Sequence, residues 1–418
     1  MKVLLRTYGC RANQYDTEAV RSLLASAGVE ETSDMKEADF AIFNSCTVTA
    51  SAEADLRSDV RAAHAKNPGV QSVVMGCAAG LPNRNEIVSP LASLPGVSAV
   101  VPGADLASIG IALGLSRVPV ISDSAISQTG ARALLRIQDG CDEHCTFCAT
   151  TIARGANRSR PIDDLVREAS LLAGTHPEIV ITGIHIGTYG RDTGSSLGEL
   201  VETLILRVPH VRFRLSSVEA TEVDDRLADL LKGDSARLAP HLHAPLQSGS
   251  NAVLRRMGRH WYNAQSYEAA VVRLTSRDAP FALSADVIAG FPGESSADHA
   301  QTVSMIKRLP FTSLHVFPYS PRPGTAALRL GGAVSGRVAR ERAAELREIA
   351  ARKNASYSTS RVGGECDVVV TERGKGLTED YLSVSVSDMT VPRRARFKGR
   401  LALVHDRLTA FPEAQRHD

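Results

Sequence analysis

The sequence predicts an α/β protein with three parts: an N-terminal parallel α/β domain, a central incomplete barrel of six β/α units, and a small C-terminal β-barrel. In the first two parts, short apolar runs alternate with helical patterns, which is the signature of parallel sheets. Six such runs follow one another in the second part, as in a β/α barrel. The final part alternates with period two and is broken by glycines, which favours a small barrel.

Changes of composition and pattern predict the domain boundaries. The predicted parts are the N-terminal domain at 1–114, a linker at 115–132, the incomplete barrel at 133–332, a connecting helix region at 333–361 and the β module at 362–418. The linker has mixed polarity and little periodicity. An Arg- and Ala-rich helix is expected at 335–355, within the connecting region.

The N-terminal domain is predicted from three apolar runs and the helical patterns between them. Strands are expected at 2–8, 38–44 and 71–75, with helices at 16–27 and 52–65. Each strand is followed by a cysteine: Cys10, Cys46 and Cys77. The carboxyl ends of parallel strands share the edge where open α/β sheets bind ligands. We therefore expect these thiols to meet at a metal or cluster site, although ordinary buried cysteines are the alternative.

The central part contains six strand candidates separated by amphipathic helices. Helices are expected at 162–173 and 296–309, among others. The strands are expected at 133–140, 178–187, 211–220, 242–249, 281–294 and 313–320. In a barrel of this kind the chemistry lies in the loops after the strands.

Bulk properties exclude few classes of function. The chain has 418 residues, 48 Lys and Arg against 46 Asp and Glu, and 43% hydrophobic residues, which is ordinary for a soluble protein. No apolar run is long enough to span a bilayer, and the start does not resemble a signal peptide. Seven cysteines then indicate reduced thiols or metal ligands in the cytoplasm.

The loop after the first barrel strand carries Cys141, Cys145 and Cys148, spaced Cys-x-x-x-Cys-x-x-Cys. Structural zinc takes four protein ligands and usually two Cys-x-x-Cys pairs, so zinc would need a distant ligand such as His144 or Cys366. Thiolates also hold iron–sulfur clusters, and a cubane cluster normally uses four of them. Three thiolates therefore predict a cluster with one iron open to an exchangeable ligand.

The chain resembles the radical S-adenosylmethionine methylthiotransferases along nearly its whole length. The barrel part carries the matching segments GCDEHCTFCATTIARG (140–155), EIVITGIHIGTYGRD (178–192), RFRLSSVEA (212–220), HLHAPLQSGSNAVLRRMGR (241–259), VIAGFPGE (287–294) and LHVFPYSPRPGT (314–325). The N-terminal domain matches through GCRANQYDTE (9–18), NSCTVT (44–49) and GC (76–77). The C-terminal β module resembles the RNA-binding domain that usually closes these enzymes.

This resemblance implies two [4Fe–4S] clusters and S-adenosylmethionine as cofactors. Cys141, Cys145 and Cys148 would hold the cluster that binds S-adenosylmethionine and yields a 5′-deoxyadenosyl radical. Cys10, Cys46 and Cys77 would hold an auxiliary cluster that carries the sulfur to be inserted. The contacts to S-adenosylmethionine that the resemblance implies are Phe147, Gly183, Ser216, Ser217, Glu219, Gln247, Val287, Ile288 and Gly290.

Several of these residues also have structural interpretations. Phe147 would equally fill a core, and the polar group at 216–219 would equally cap a helix. His241 and His243 share one face of a strand and are interpreted as pocket or core residues, since no third metal ligand is evident. Three further arginines would meet phosphate or line a solvated face: Arg255, Arg256 and Arg259.

Within the family, the Asn-Gln-Tyr run at 13–15 and FPYSPRPGT at 317–325 resemble the branch that acts on threonylcarbamoyladenosine 37 of tRNA. The resemblance implies methylthiolation of carbon 2 of that nucleoside, with tRNA and a flavodoxin- or ferredoxin-type reductant as partners. Alternatives are isopentenyladenosine 37 of tRNA, a ribosomal-protein aspartate, or a non-catalytic iron–sulfur protein that docks RNA.

The sequence also shows two departures from the family pattern and one basic stretch. Ala79 stands where the family usually has glutamine, and CATTIARG replaces a more usual bulky-Pro-aromatic segment. Both departures put the shape of the binding pocket in doubt, whereas the cysteine ligands themselves are intact. The stretch PRRARFKGR (392–400) is rich in Arg and Lys, which indicates either a solvated face or an RNA contact.

Overall fold

The structure is a computed structural model that describes residues 1–47, 50–81, 89–115, 128–234, 236–276 and 279–413. Most of the predicted linker, at 116–127, lies outside the described residues, as do residues 48–49 of the NSCTVT motif. The chain forms two compact units. Unit 1 comprises residues 1–128, 138–158 and 320–329, and unit 2 comprises 129–137, 159–319 and 330–418.

The helices and strands of the described residues alternate over most of the chain. The helices are α1 Arg11–Ser26, α2 Ala50–Lys66, α3 Leu106–Ala112, α4 Thr150–Arg154, α5 Ile162–Ala173, α6 Leu197–Arg207, α7 Asp225–Lys232, α8 Asn251–Arg256, α9 Ala264–Thr275, α10 Ser296–Arg308 and α11 Gly336–Ser360. The strands are β1 Lys2–Thr7, β2 Glu30–Glu31, β3 Phe40–Ser45, β4 Gln71–Gly76, β5 Val97–Pro102, β6 Ala133–Arg136, β7 Gln138–Asp139, β8 Arg158–Ser159, β9 Glu178–Thr182, β10 Arg212–Leu215, β11 His241–His243, β12 Ala282–Ala289, β13 Phe311–Pro318, β14 Glu365–Glu372, β15 Lys375–Leu377, β16 Ser383–Val386, β17 Arg396–Val404 and β18 Arg407–Pro412.

Unit 1 contains a five-stranded parallel sheet in the order β2-β1-β3-β4-β5. Successive strand residues point to opposite faces, and both faces are apolar. Leu4, Phe43 and Val74 pack with α2 on one face, while Val3 and Ile42 belong to the core cluster on the other. The predicted parallel α/β domain is confirmed. The sequence interpretation missed β2 and β5, which extend the sheet beyond the three predicted strands, and the helix α3.

Unit 2 contains the six strands of the predicted incomplete barrel. One parallel half-sheet has the order β10-β9-β6, and the other has the order β11-β12-β13. A parallel bridge between Ser217 and His243 connects the two halves, so the strands follow one another in chain order. The predicted six β/α units are therefore confirmed. The strands are shorter than expected because several candidate segments turn into loops, as at 183–187 after β9.

The C-terminal β module is a closed five-stranded barrel in the order β14-β15-β16-β18-β17, as predicted. Cys366 lies in its apolar core, and burial raises the pKa of that thiol to about 12. Within unit 2 a buried ion network joins the module to the strands. Arg214 donates to Glu178 at 2.8 Å and to the carbonyl of Glu379 at 2.9 Å, and Arg212 reaches Glu178 at 2.7 Å.

The basic stretch of the module is divided between structural and exposed cations. Arg393 donates to the carbonyl of Thr129 at 2.6 Å, and Arg396 donates to the carbonyl of Ala236 at 2.7 Å. These guanidinium groups therefore hold the module in place within unit 2. Lys398 and Arg400 are exposed. Among the described residues, no helix has the length and apolar character needed to cross a membrane.

Candidate functional site

The first cysteine group of unit 1 lies at the carboxyl edge of its parallel sheet. Cys10 is the N-cap of α1, Cys46 directly follows β3 and Cys77 directly follows β4. Since β1, β3 and β4 are neighbours in the sheet, topology brings the three segments together. Gly9 has φ of +116°, and a Cβ there would lie 2.8 Å from the Cys46 sulfur. A glycine is required because the backbone passes so close to that thiol.

The side chain of Asn13, one turn into α1, contacts both Cys10 and Cys77 of this group. The Cys10 thiol donates to its Oδ1 at 3.3 Å, and its Nδ2 lies 3.9 Å from the Cys77 sulfur. The same Nδ2 donates to the carbonyl of Ser45 at 2.9 Å. Asn13 is fully buried, so its amide fixes the distance between two of the cysteine segments.

A buried arginine lies beside the same group. The Nε of Arg154 donates to the Cys77 sulfur at 3.1 Å. Its two other nitrogens reach Asp16 at 2.6 Å and Asp139 at 3.2 Å. Burial raises the pKa of the Cys77 thiol to about 11, with a contribution from Cys10 and Cys46, while Arg154 opposes this shift. The cation therefore favours the thiolate form, which is the form that ligates metals.

The second cysteine group occupies the loop between β7 and α4, also in unit 1. Cys141, Cys145 and Cys148 are all partly exposed. Backbone amides donate to two of the sulfurs at 3.4 Å: Glu143 to Cys141, and Thr150 to Cys148. Hydrogen bonds of this kind to sulfur help to tune iron–sulfur clusters.

Both donor sets fit a sulfur-ligated cluster. Each offers three thiols, and the seventh cysteine, Cys366, is enclosed in the core of the β module. One group has a buried cation beside it and the other receives amide donors, so negative charge on the sulfurs is stabilised in both. A three-thiolate set leaves one iron of a cubane open. Cys10, Cys46 and Cys77 are called the sheet-edge triad below, and Cys141, Cys145 and Cys148 the loop triad.

The segments that follow the two triads pack against each other within unit 1. Gly80 ends a short 3-10 turn after Cys77, and a Cβ there would lie 2.7 Å from the carbonyl oxygen of Ala153 in α4. The same helix ends at Arg154, which contacts the sheet-edge triad. The loop triad is also held by a later segment of the chain, because Ala327 donates to the carbonyl of Thr146 at 2.7 Å.

The implied contacts to S-adenosylmethionine lie in both units. Phe147 lies in the same loop as the loop triad and is partly exposed, so it does not fill a closed core. In unit 2, Gly183 follows β9, and Ser216 and Ser217 follow β10. Gln247 has φ of +62° and bridges Val287 of β12. Their roles as cofactor contacts stay predictions.

Glu219 is buried and forms a charged cluster rather than a helix cap. It accepts hydrogen bonds from Arg259 and from the indole of Trp261. Burial raises the pKa of Glu219, and the adjacent Arg259 opposes that effect. Arg259 is therefore engaged inside unit 2, and Arg256 likewise donates to the carbonyl of Pro292 at 2.8 Å. Two of the three arginines considered for phosphate thus have structural partners.

The VIAGFPGE segment is shaped largely by packing. Gly290 has φ of +76°, and a Cβ there would lie 2.4 Å from that of Ala339 in α11. This glycine is thus explained by the close approach of a helix. The Val287 side chain is fully buried, whereas Ile288 is partly exposed. Of these two side chains, only that of Ile288 is accessible to a ligand.

The structure adds three polar residues to the histidine pair of β11. His241 and His243 both hydrogen-bond Ser284, at 3.1 and 2.8 Å. His243 also meets Asp286, which in turn meets His315. The sequence interpretation found no third partner for these histidines because Asp286 and His315 are on strands far along the chain.

Comparison with known proteins identifies the family. The model described as Uncharacterized protein family UPF0004 matches residues 2–92, and the Radical SAM superfamily model matches residues 135–306. The threonylcarbamoyladenosine tRNA methylthiotransferase MtaB of Thermotoga maritima is 34% identical over 386 residues, covering 88% of this chain and 86% of the relative. The chain belongs to the radical S-adenosylmethionine methylthiotransferase family.

Two further similarities agree with this membership. The tRNA-2-methylthio-N(6)-dimethylallyladenosine synthase of Thermodesulfovibrio yellowstonii is 30% identical over 389 residues, covering 88% of each chain. The solved structure of the radical S-adenosylmethionine methyltransferase TsrM from Kitasatospora setae has a TM-score of 0.56 at 15% identity, covering 78% of this chain and 76% of that one. At that identity the structural similarity shows the fold alone.

As a methylthiotransferase, this chain is an enzyme, and the non-catalytic alternative is set aside. The radical S-adenosylmethionine family implies a [4Fe–4S] cluster and S-adenosylmethionine. Sequence reasoning missed Asn13, Asp16 and Arg154, which surround the sheet-edge triad. Their signal was present, because Asn13 lies three residues after Cys10 and Arg154 six residues after Cys148, but only tertiary contacts show what they touch.

Proposed function

We propose that this protein methylthiolates carbon 2 of N6-threonylcarbamoyladenosine at position 37 of tRNA. In this proposal the loop triad and the sheet-edge triad each hold a [4Fe–4S] cluster. When bound, the clusters and S-adenosylmethionine supply the radical, the methyl group and the sulfur. The protein holds the donors, balances their charge and positions the nucleoside.

The observation that carries the proposal is the presence of two three-thiol sites in one compact unit. Radical generation alone needs a single open cluster, so a second triad calls for a second task, and sulfur insertion is such a task. Arg154 supports the second site, since a buried cation 3.1 Å from the Cys77 sulfur offsets the charge of bound thiolates.

The nucleic-acid part of the proposal is supported by the relatives and by the β module. The relative with the higher identity of the two compared is named for threonylcarbamoyladenosine in tRNA. The β module exposes Lys398, Arg400 and Arg407, and such cations bind phosphates. Bases of single-stranded loops are accessible to modifying enzymes because they can be unstacked.

The test is mass spectrometry of tRNA nucleosides from cells with and without the gene. We expect the 2-methylthio derivative of threonylcarbamoyladenosine to disappear from the deletion strain. Wild-type protein and Cys366→Ala should restore it, because Cys366 is a core thiol outside both triads. Cys10→Ala and Cys141→Ala should restore none.

Three results would contradict the proposal. Unchanged tRNA nucleosides would exclude tRNA as the substrate and would direct the search to a methylthiolated protein. Loss of the methylthio derivative of isopentenyladenosine instead would favour the second candidate, for which the relative from Thermodesulfovibrio yellowstonii is named. Full restoration by Cys10→Ala would exclude the sheet-edge triad from the reaction.

The remaining partners follow from this chemistry. An electron must reach the cluster of the loop triad, and we propose a reduced flavodoxin or ferredoxin as the donor. Because tRNA and such donors are found in the cytoplasm, the protein is proposed to act there.

A further inference from the structure

Three side chains of unit 2 converge on one face of the half-sheet β11-β12-β13. The Nε2 of His243 lies 3.2 Å from one carboxylate oxygen of Asp286, and the Nδ1 of His315 lies 3.2 Å from the other. His243 ends β11, while Asp286 and His315 face each other in the β12–β13 register. We call this group the His-Asp-His cluster.

The cluster is held from behind by further hydrogen bonds. Ser284, two residues before Asp286 on the same face of β12, lies 2.8 Å from the Nδ1 of His243. The Nε2 of His241 is 3.1 Å from the same hydroxyl, and the ring of His241 stacks on Tyr381 of the β module at 4.4 Å. Asp286 is therefore supported at one end by a chain of oriented groups.

The cluster opens to solvent at its other end. The exposed fraction of the side chain is 11% at His243, 28% at Asp286 and 57% at His315. The opposite face is closed, because Leu314 and Val316 are buried and Arg347 and Asn354 of α11 donate to carbonyls of β13. His315 thus presents an oriented imidazole on the open face of an edge strand.

An apolar ring lies next to the cluster on that face. Phe317 is two residues beyond His315, so both side chains point the same way, about 6.8 Å apart along the strand. Phe317 as a whole residue is 39% exposed, which is a high fraction for phenylalanine. It pairs in register with Ile288 of β12. The polar cross-strand pair Asp286 and His315 is therefore followed directly by the apolar pair Ile288 and Phe317.

We propose that this face is a subsite for a nucleoside whose N6 substituent carries a carboxylate, with the base on Phe317 and the carboxylate at His315. The inference rests on the proposed function and assigns specificity for the threonylcarbamoyl group to the His-Asp-His cluster. Asp286 accepts from the Nδ1 of His315, so the Nε2 edge of the ring points away from that carboxylate. When both of its ring nitrogens carry protons, His315 donates from this edge to the incoming carboxylate.

The physical chemistry of the face favours a polar over an apolar substituent. An isopentenyl group at this position would cover His315 and Asp286 without replacing their hydrogen bonds to water, which is costly. A base stacked on an aromatic ring gains about 1–3 kcal/mol whatever its identity, so Phe317 supplies affinity and the cluster supplies discrimination.

The same three side chains have the donor types of a metal site, since their ligand atoms lie within 4.8 Å of one another. The hydrogen bonds described above account for them without an ion. The carboxylate oxygens each accept from one imidazole, and the buried serine hydroxyl completes the chain. Metal binding is accordingly an outcome that the experiment has to separate from the proposal.

The experiment compares two anticodon stem–loop RNAs that differ only at one carboxyl group: one with threonylcarbamoyladenosine 37, and one with its neutral methyl ester. Methylthio product is measured with the cluster-loaded holoenzyme. We expect wild-type kcat/KM to favour the acid about tenfold to a hundredfold, the range of a hydrogen bond to a charged group. His315→Gln should bring the ratio close to one through a higher KM for the acid.

Two further variants sharpen the comparison. Asp286→Asn should lower the ratio to an intermediate value, because the amide keeps one acceptor oxygen but loses the charge and the second acceptor that orient the two imidazoles. His210→Asn removes an exposed imidazole from the loop before β10 and should keep the wild-type ratio. Circular dichroism and iron content establish that each variant is folded and loaded.

Four results would overturn the inference. Equal wild-type kcat/KM for acid and ester, or an unchanged ratio in His315→Gln, would exclude the carboxylate subsite while leaving the proposed function intact. A stoichiometric divalent metal other than cluster iron, lost in Asp286→Asn, would make the cluster a metal site. Failure of the wild-type enzyme to methylthiolate either RNA would overturn the proposed function together with the subsite.

Discussion

The two cysteine triads of unit 1 are built in opposite ways. The loop triad comes from eight consecutive residues, 141–148, is partly exposed, and is held mainly by amides of its own loop. The sheet-edge triad comes from three strand ends, has two buried cysteines, and depends on Asn13 and Arg154 from two different helices. One site is local and the other exists only after the sheet has formed.

This difference determines how each site responds to mutation. A local loop keeps its donors close even if the fold loosens, because the chain itself limits their separation. The sheet-edge triad needs the pairing of β1, β3 and β4 and the burial of a charged side chain. We therefore expect the sheet-edge triad to be the more sensitive to changes outside its own ligands.

The largest expected effect comes from the ligands themselves. Cys141→Ala should abolish reductive cleavage of S-adenosylmethionine, and Cys10→Ala should abolish methylthio product while 5′-deoxyadenosine still forms. Each variant should lose about four iron atoms per chain, one cubane cluster. Iron analysis and product assays on anaerobically purified protein measure both quantities. Loss of both clusters in Cys10→Ala would show that the two sites do not load independently.

Arg154→Met should have the next largest effect. It leaves Asp16, whose side chain is fully buried, without its charged partner, which costs about 3–5 kcal/mol. The urea midpoint of unit 1 should fall, and iron should be lost from the sheet-edge triad before the loop triad. Arg154→Lys keeps the charge but not the planar fork, so it should rescue only part of the stability.

The matched control removes both charges together. Arg154→Met with Asp16→Asn should recover a large part of the stability, because no buried charge is left unpaired. It should not recover the iron of the sheet-edge triad, since the cation beside Cys77 is still missing. Full iron occupancy in this double variant would show that Arg154 acts on stability alone.

Two glycine substitutions should give the smallest effects and the most direct comparison. Gly9→Ala places a methyl group 2.7 Å from the Cβ of Cys46 at φ of +116°, with strain of about 1–3 kcal/mol. Gly155, whose carbonyl accepts from the amide of Cys141, has φ of +73° and ψ of −159°, a conformation that essentially only glycine adopts. Gly155→Ala therefore also costs about 1–3 kcal/mol, but the nearest atom to the added methyl group is 3.5 Å away and belongs to Arg158. Iron occupancy should fall only in Gly9→Ala, and equal losses would contradict the distinction between the triads.

Much of the fold could be predicted because its elements have clear periods. Alternating strands and helices of the first 332 residues, and the period-two pattern of the β module, appear in the sequence itself. The predicted ends of the helices and strands were less accurate. The segment predicted as a strand at 281–294 is a strand only at Ala282–Ala289. Gly290 ends it because α11 packs against that position, and no local pattern shows a helix that arrives fifty residues later.

The candidate site, like the fold, could be predicted from the sequence only in part. The spacing of Cys141, Cys145 and Cys148 predicts one triad from sequence alone, since a few intervening residues limit how far apart the three thiols can lie. The sheet-edge triad could be expected from parallel topology, because strand ends share an edge. The partners of Cys77, and the meeting of His243 with Asp286 and His315, depended on the tertiary structure. A buried charge or a cross-strand hydrogen bond is chosen by three-dimensional proximity, which sequence separation does not encode.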